Sequence, residues 1–513
     1  MNALILAVAL LAAEPAKPTK LELLPTEADA VGWHFEAALK YQEADRPYLL
    51  AAWIPPWGDR DWIGLMDFAA NSALSHTTTL VRGDQHAGGW LVVYNLRLLC
   101  PEPEQLERLR KDINSLAVRD PFFHVPEVNL VGSGAVLAPH LQAALARHVS
   151  DPDKSERIDV LVAQLTQSTG GIYRADFLIE QLLTSARGKY PEFRQIDFTK
   201  KLGDHLAKRG FFFGETKDLR GEKGAVLLAS DVTGKGRSVL TAYGVASRLP
   251  VAVTFDLKDS TTRPDAQFVR NLIEFRSDAS EALVPLPNGL WEGLLADGAG
   301  NLQRVAPPDV VADSTKPDGH TKELEMGMSC ILCHSTDNGY RTARNDLELL
   351  QGADADYFGD EIVYRGKTLT RAEAVAIVAG RYGERIDEPD GVLGRARRDY
   401  IRKVDELTDY PVTADGPTSV QQLGAKLKTV YHGYRYRRID TQQACLELGV
   451  RVPAERARAT LRQLVPAPTA GQAEDIVIAL LKNGASIKRD DFDAVYVELA
   501  RRAVETRPAL VVE

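Results

Sequence analysis

One pentapeptide, Cys330-Ile331-Leu332-Cys333-His334, constrains this chain more than any other feature. Two thiols in a CxxC spacing, followed at once by an imidazole, are typical of a c-type haem attachment site. The sulfurs of Cys330 and Cys333 can form thioether bonds with the two vinyl groups of one porphyrin, and His334 then offers an axial nitrogen to the iron. We therefore expect one covalently attached haem c, with His334 as the proximal ligand.

A structural zinc site is the alternative interpretation of the motif. Zinc would need two further Cys or His ligands at a matching spacing. The sequence contains no second CxxC and no HxxxH, and the remaining thiols, Cys100 and Cys445, are single and distant. We therefore favour haem over zinc, and either of them over coincidence.

The distal ligand of the iron is left open by the sequence. Small cytochromes c usually take a Met downstream of the motif, but the four Met of this chain are residues 1, 66, 326 and 328, so none follows it. Four alternatives remain for the distal position. They are His432, which is the only His after His334; Met328 or Met326; His320; and a vacant or water-bound position. We rank His432 and Met328 equally, ahead of the others.

The first residues indicate export. Residues 3–13 form an uninterrupted apolar run that is too short to span a bilayer and has the length of a signal-peptide core. No basic residue lies between Met1 and the run, and Leu11 stands where a small residue is usual, so a buried N-terminal helix is the alternative. We expect residues 1–13 to be a signal peptide, no transmembrane span after them, and a periplasmic or otherwise exported protein, in which Cys100 and Cys445 could form a disulfide.

The net charge of the chain limits its possible partners, and its length limits the number of domains. The formal net charge of −9 argues against a nucleic-acid partner. The segment Tyr431–Arg438 does alternate aromatic and basic side chains, but a solvated basic face or contact with haem propionates explains it better. A chain of 513 residues has room for two to four domains.

The periodicity of the apolar residues predicts an α+β protein. We expect a mixed α/β N-terminal region at 20–210, a β-rich region at 211–313, a mainly helical cytochrome-c-like haem domain at 314–440 and a helical C-terminal region at 441–513. Among the predicted elements are a buried strand over 90–99, a helix over 175–183, a hairpin over 225–243, a strand over 249–257, and helices over 394–407, 420–431, 441–448, 454–464, 473–481 and 490–503.

A sequence pattern between residues 255 and 334 resembles a family of large, secreted bacterial proteins that carry a single cytochrome-c-like CxxCH site. It consists of Leu286-Pro287-Asn288-Gly289-Leu290, a turn at 297–300, Ala306-Pro307, Val311-Ala312-Asp313, and Gly327-Met328-Ser329 directly before the motif. Segments 95–98 and 173–176 are weaker members of the same pattern. The resemblance implies a haem and export, and it implies no substrate.

Three functions follow from these expectations. The first is a periplasmic c-type cytochrome that transfers single electrons to a redox partner protein. The second is a haem enzyme or sensor with an open iron site for a small molecule or peroxide, which the missing downstream Met and the large N-terminal region motivate. The third is a cell-envelope interaction protein in which the haem is structural.

Overall fold

The chain folds as a mixed α+β protein, as its sequence predicts. The computed structural model describes residues 21–122, 172–211, 223–227, 237–243, 250–256, 278–307, 310–313, 315–318, 320–336, 362–364, 367–373, 376, 392–412, 416–466, 471–482 and 484–506. The expected signal peptide at 1–13 lies outside these residues. Within them, no helix is long and apolar enough to cross a membrane.

The N-terminal region contains five strands and seven α-helices within the described residues. They are β1 (Glu22–Leu23), α1 (Glu27–Ala38), β2 (Leu49–Trp53), α2 (Asp61–Ala73), β3 (Asp84–His86), β4 (Leu91–Asn95), α3 (Leu96–Leu99), α4 (Pro103–Asn114), β5 (Ile172–Arg174), α5 (Ala175–Leu183), α6 (Tyr190–Phe193) and α7 (Leu202–Lys208). Four of the strands form a sheet in the order β3-β4-β2-β5, in which β2 and β5 are parallel and the other pairs antiparallel. Helix α2 is buried along almost its whole length and packs against α5.

A six-stranded antiparallel meander follows, in the order β6 to β11. Its strands are β6 (Lys223–Leu227), β7 (Arg237–Tyr243), β8 (Pro250–Asp256), β9 (Ala279–Pro285), β10 (Trp291–Asp297) and β11 (Leu302–Gln303). Strand β9 is buried throughout and β10 along nearly its whole length, so both faces of this part of the sheet are covered by other parts of the chain. The turn between them needs Gly289, whose φ is +87°, and the buried side chain of Asn288 accepts a hydrogen bond from the backbone of Leu290.

The remainder of the described chain is mainly helical. Its elements are α8 (Met328–Ser335), β12 (Ile362–Tyr364), β13 (Lys367–Leu369), α9 (Val392–Thr408), α10 (Ser419–Arg435), β14 (Ile439–Asp440), α11 (Thr441–Glu447), β15 (Val450–Arg451), α12 (Ala457–Leu464), α13 (Gln472–Leu481), β16 (Ser486–Ile487), α14 (Arg489–Asp493) and α15 (Tyr496–Thr506). Helix α10 packs against α8, α9 and α5, and thereby links the helical part to the N-terminal region.

Most of the predicted elements are confirmed, although some of their ends differ by a few residues, and two predictions were wrong in kind. The strand expected over 90–99 ends at Asn95, because the Asn95 side chain accepts a hydrogen bond from the backbone N–H of Arg97 and caps the short helix α3. The single helix expected over 490–503 is two helices, α14 and α15, with a break after Asp493.

A cluster of buried ion pairs joins the N-terminal region to the C-terminal helices. The guanidinium of Arg174, at the end of β5, lies 2.7 Å from a carboxylate oxygen of Asp176 and 3.0 Å from one of Glu447 in α11. Both oxygens of Glu447 also accept from Arg489 of α14, at 2.6 and 2.8 Å. The Arg174 guanidinium stacks 3.4 Å from the ring centroid of Phe122. Because the charges are paired, they can be buried at the junction.

Candidate functional site

The Cys–His motif lies in helix α8, whose first turn is fixed to the N-terminal region. Gly327 caps the helix with a φ of +88°, a conformation that favours glycine. It forms a β-bridge with Thr184, and a side chain at position 327 would overlap the carbonyl oxygen of Leu183. The motif therefore starts at a backbone position that only glycine fills without strain.

The loop before the helix fastens its first turn through Ser329. The Ser329 hydroxyl donates a hydrogen bond to the carboxylate of Asp313 at 2.6 Å and accepts one from the backbone N–H of Glu325 at 3.0 Å. The Glu325 carboxylate in turn lies 3.1 Å from the buried ammonium of Lys316. Asp313 and Ser329 both belong to the sequence pattern between residues 255 and 334, and this hydrogen bond joins two of its segments.

Cys330 points at the six-stranded sheet. Its side chain is 1% exposed and lies against Gly293 in β10, where an added Cβ would be 2.8 Å from both Cβ and Sγ of Cys330. A glycine in the middle of a strand often marks such a close approach. Burial raises the pKa of the Cys330 thiol, and the carboxylate of Glu281 in β9, which accepts a hydrogen bond from it, raises it further.

His334 lies on the same face of α8 as Cys330, since residues four apart in a helix are neighbours. Its Nε2 is 3.5 Å from Oε1 of Glu281, and its ring meets the edge of Trp291 at 5.6 Å between centroids. Trp291 also lies 5.6 Å from the ring of Tyr400 in α9. Nδ1 of His334 is buried and has no hydrogen-bond partner in the described part of the chain.

The other faces of α8 differ in exposure. Cys333 is partly exposed, whereas Cys330, one turn earlier, is buried. Ser335 packs against α10 at Gly424, where a Cβ would overlap the Ser335 side chain. The helix is thus held between the sheet and α10.

The structure does not bring His432 to His334. His432 lies in α10 with its ring 5.2 Å from that of Tyr436, and His320 contacts the same Tyr436 ring at 4.6 Å. Burial lowers the pKa of His432. Its Nε2 has no hydrogen-bond partner among the described residues, and no ring contact within them joins it to His334.

Met328 and Met326 are both buried, at 1% and 0% exposure. Met328 opens α8 itself, six residues before His334, which corresponds to about 9 Å along a helix axis. One straight helix cannot present both residues to opposite sides of one porphyrin. Met328 can therefore act as a distal ligand only if the first turn of α8 unwinds.

Cys100 and Cys445 are both buried free thiols, so the structure does not pair them. The Cys100 Sγ lies 3.9 Å from Gln105, and the Cys445 Sγ donates to the carbonyl of Ala457 at 3.4 Å. Burial raises the pKa of each thiol, to about 11 for Cys100 and about 12 for Cys445.

The donor atoms of α8 fit a c-type haem in their chemistry. Two thiols outside any disulfide and an imidazole with an unpartnered ring nitrogen lie on neighbouring positions of one short helix. Among the described residues no group of three or more His, Cys, Asp or Glu side chains is arranged to hold a metal ion, so the structure offers no support for a zinc site. The contact between Cys330 and Gly293 leaves no space for a porphyrin there, so a haem bonded to Cys330 requires α8 and β10 to separate.

Comparison of the chain with protein-family models, with curated proteins and with solved structures finds no match.

Sequence reasoning did not find three residues of this site: Glu281, Trp291 and Gly293. They lie in β9 and β10, and antiparallel pairing places all three on the face of the sheet that meets α8. The neighbouring Glu292 points to the opposite face and pairs with Arg194 and Arg209. The one available signal was Gly293 itself, an isolated glycine within a strand-like run.

Proposed function

We propose that the protein is an exported c-type cytochrome that binds one covalent haem and transfers single electrons to and from a redox partner protein. One observation carries the proposal: two thiols outside any disulfide and a buried imidazole share one short helix in CxxCH order. Cys330 and Cys333 would hold the porphyrin, and His334 would bind the iron. The bound haem would supply a reversible one-electron couple.

Production of the full chain together with a haem-attachment machinery in a bacterial periplasm tests the proposal. We expect one haem per chain that survives denaturation, and none in a matched Cys330→Ala/Cys333→Ala double variant. Absence of covalent haem from the wild-type chain would overturn the proposal.

A haem enzyme or sensor with an open iron site is the second candidate, favoured by the position of His432. His432 lies beside Tyr436, and no ring contact among the described residues joins it to His334. Carbon monoxide added to the reduced protein separates the two candidates. A spectrum that does not change indicates a six-coordinate iron and supports electron transfer, whereas rapid formation of a carbonyl complex supports the open site. If His432 is the distal ligand, His432→Ala converts the first result into the second.

A further inference from the structure

We propose that helices α14 and α15 are attached to the N-terminal region by a pH-sensitive junction. The carboxyl groups of Glu27 and Asp493 hold protons while the two helices are docked, and loss of these protons as the pH rises lets the helices detach without unfolding the rest of the protein. The inference is independent of the proposed haem, because it rests on the charges buried around Arg174.

The cluster around Arg174 contains more carboxyl groups than guanidinium groups. Arg174 and Arg489 supply two positive charges, at 0% and 4% exposure. If every carboxyl group beside them were ionised, the cluster would hold two uncompensated negative charges, and an unpaired buried charge is costly. Two protons restore neutrality. The carboxyl groups, four in all among the described residues of the cluster, belong to Glu27 in α1, Asp176 in α5, Glu447 in α11 and Asp493 in α14.

Two of the four carboxyl groups are bound directly by guanidiniums and keep their charge. Arg174 donates to both oxygens of Asp176, at 2.7 and 3.0 Å. Glu447 accepts from both Arg174 and Arg489. Burial alone would raise the pKa of Glu447, but the two guanidiniums lower it to about 2. The two protons therefore belong to the remaining pair.

Glu27 is the first proton holder. It accepts a hydrogen bond from the hydroxyl of Tyr496, which links α1 directly to α15, and no ion pair among the described residues includes it. Burial raises the pKa of Glu27 to about 7, and the charge of Glu447 acts in the same direction. The Tyr496 hydrogen bond and the charge of Arg174 oppose this rise and do not cancel it.

Asp493 is the second proton holder. Its Oδ1 lies 2.8 Å from Nε of Arg489, whose other nitrogens already bind Glu447. Its Oδ2 accepts a hydrogen bond from the hydroxyl of Tyr434 in α10 at 3.4 Å. Burial raises the pKa of Asp493 to about 6 against the charges of Arg489 and Arg174, and the neighbouring carboxylates of Glu447 and Asp176 raise it further.

A further ion pair flanks Asp493 and does not change the balance. Oε1 of Glu180 in α5 lies 3.6 Å from Nε of Arg435 in α10, so this pair is neutral when both groups are charged. Arg435 also pairs with Asp490 of α14, whose side chain is exposed to solvent. Burial raises the pKa of Glu180 to about 7 against the charge of Arg435, and the charges of Glu325, Asp493 and Asp490 raise it further. Ionisation of Asp493 therefore also adds repulsion across the contact between α14 and α5.

Docked helices bind the two protons more tightly than detached helices do. On detachment both carboxyl groups return to their ordinary pKa values, 4.5 for Glu27 and 3.8 for Asp493. Their contribution to docking is therefore complete below these values and is lost as the pH rises through about 6 and about 7. Between its two pKa values, each group shifts the docking equilibrium by about tenfold per pH unit.

Hydrogen exchange of the full-length protein tests the proposal, with peptides analysed by mass spectrometry and rates corrected for the intrinsic pH dependence of exchange. Peptides from residues 489–506 report on the two helices, and peptides from α2 report on the N-terminal core. We expect the protection of 489–506 to fall at least about tenfold between pH 5 and pH 7, and to be lower than that of α2 at pH 7. Protection that does not fall with pH, or that equals that of α2 at every pH, would overturn the proposal.

A Glu27→Gln/Asp493→Asn variant tests the two named residues, because the amides imitate the protonated carboxyl groups. At pH 7 the protection of 489–506 in this variant should exceed that of the wild type by at least about tenfold, whereas at pH 5 the two proteins should differ little. Asp491→Asn is the matched control, since Asp491 is an exposed carboxyl group in the same helix α14, and it should behave as the wild type does. A double variant that keeps the wild-type protection at pH 7, or a control that gains as much as the double variant, would refute the assignment.

Discussion

Gly424 in α10 offers the sharpest test of how α8 is packed. A Cβ at this position would overlap the Oγ and Cβ of Ser335, whereas the Ser335 Cα lies 3.8 Å away, at ordinary contact distance. Gly424→Ala therefore forces α8 and α10 apart, and such overpacking costs about 1–3 kcal/mol. Against this, alanine favours a helix interior over glycine by about 1 kcal/mol. The cost of the steric clash should exceed the gain in helix propensity, so we expect the free energy of unfolding to fall by up to about 2 kcal/mol.

A double-mutant cycle with Ser335→Gly isolates the clash. With no side chain at position 335, the alanine at 424 meets only the Cα and should stabilise the protein by up to about 1 kcal/mol. The coupling free energy between the two sites should thus be about 1–3 kcal/mol. Gly433→Ala is the matched control, because Gly433 is exposed in the same helix and a Cβ there has no neighbour within 4 Å.

Urea unfolding followed by circular dichroism measures all four states of the cycle and the control. Gly433→Ala should be neutral or stabilising, and Gly424→Ala destabilising only when Ser335 is present. Additive effects of the two substitutions would refute the packing of α8 against α10 at these two residues.

Two further predictions concern the buried charges at the junction with the C-terminal helices. Glu447→Gln should lower the free energy of unfolding by about 3–5 kcal/mol, because Arg174 and Arg489 lose the buried carboxylate that they share. Urea unfolding measures this change, and a loss below about 1 kcal/mol would contradict the account. Burial raises the pKa of Glu27, which accepts a hydrogen bond from Tyr496, from 4.5 to about 7. The folded state therefore binds the proton more tightly, and this group's contribution to stability is lost as the pH rises from 4.5 to about 7. Between pH 4.5 and about 7, the free energy of unfolding of Glu27→Gln should rise by up to about 3 kcal/mol relative to that of the wild type. Stability curves that stay parallel for the two proteins over this pH range would refute the prediction.

Local sequence signals predicted local structure well. The helix over 175–183 was predicted with its observed bounds, because its apolar residues recur with helical periodicity. Predictions of secondary structure were wrong where a single side chain decides whether the chain continues as a strand or turns into a helix. At Asn95 a side-chain cap turns the chain into a helix in the middle of a run of strand-forming residues.

The candidate site likewise contains residues that a local sequence pattern reveals and residues that only the fold brings together. Cys330, Cys333 and His334 are adjacent and could be found from their spacing alone. Their neighbours Glu281 and Gly293 come from strands about fifty and forty residues earlier, and only the strand register places them under α8. The partnership of Arg174 with Glu447 spans 273 residues, and no local pattern marks either of them as buried.

The most direct test of the central claim is the intact mass of the exported protein, together with the absorbance of its haem in alkaline pyridine. The account predicts a chain heavier by one haem that acid extraction does not remove, with a pyridine spectrum typical of two thioether bonds, at Cys330 and Cys333. A chain with the mass of the bare polypeptide, or a haem that acid extracts, would contradict it.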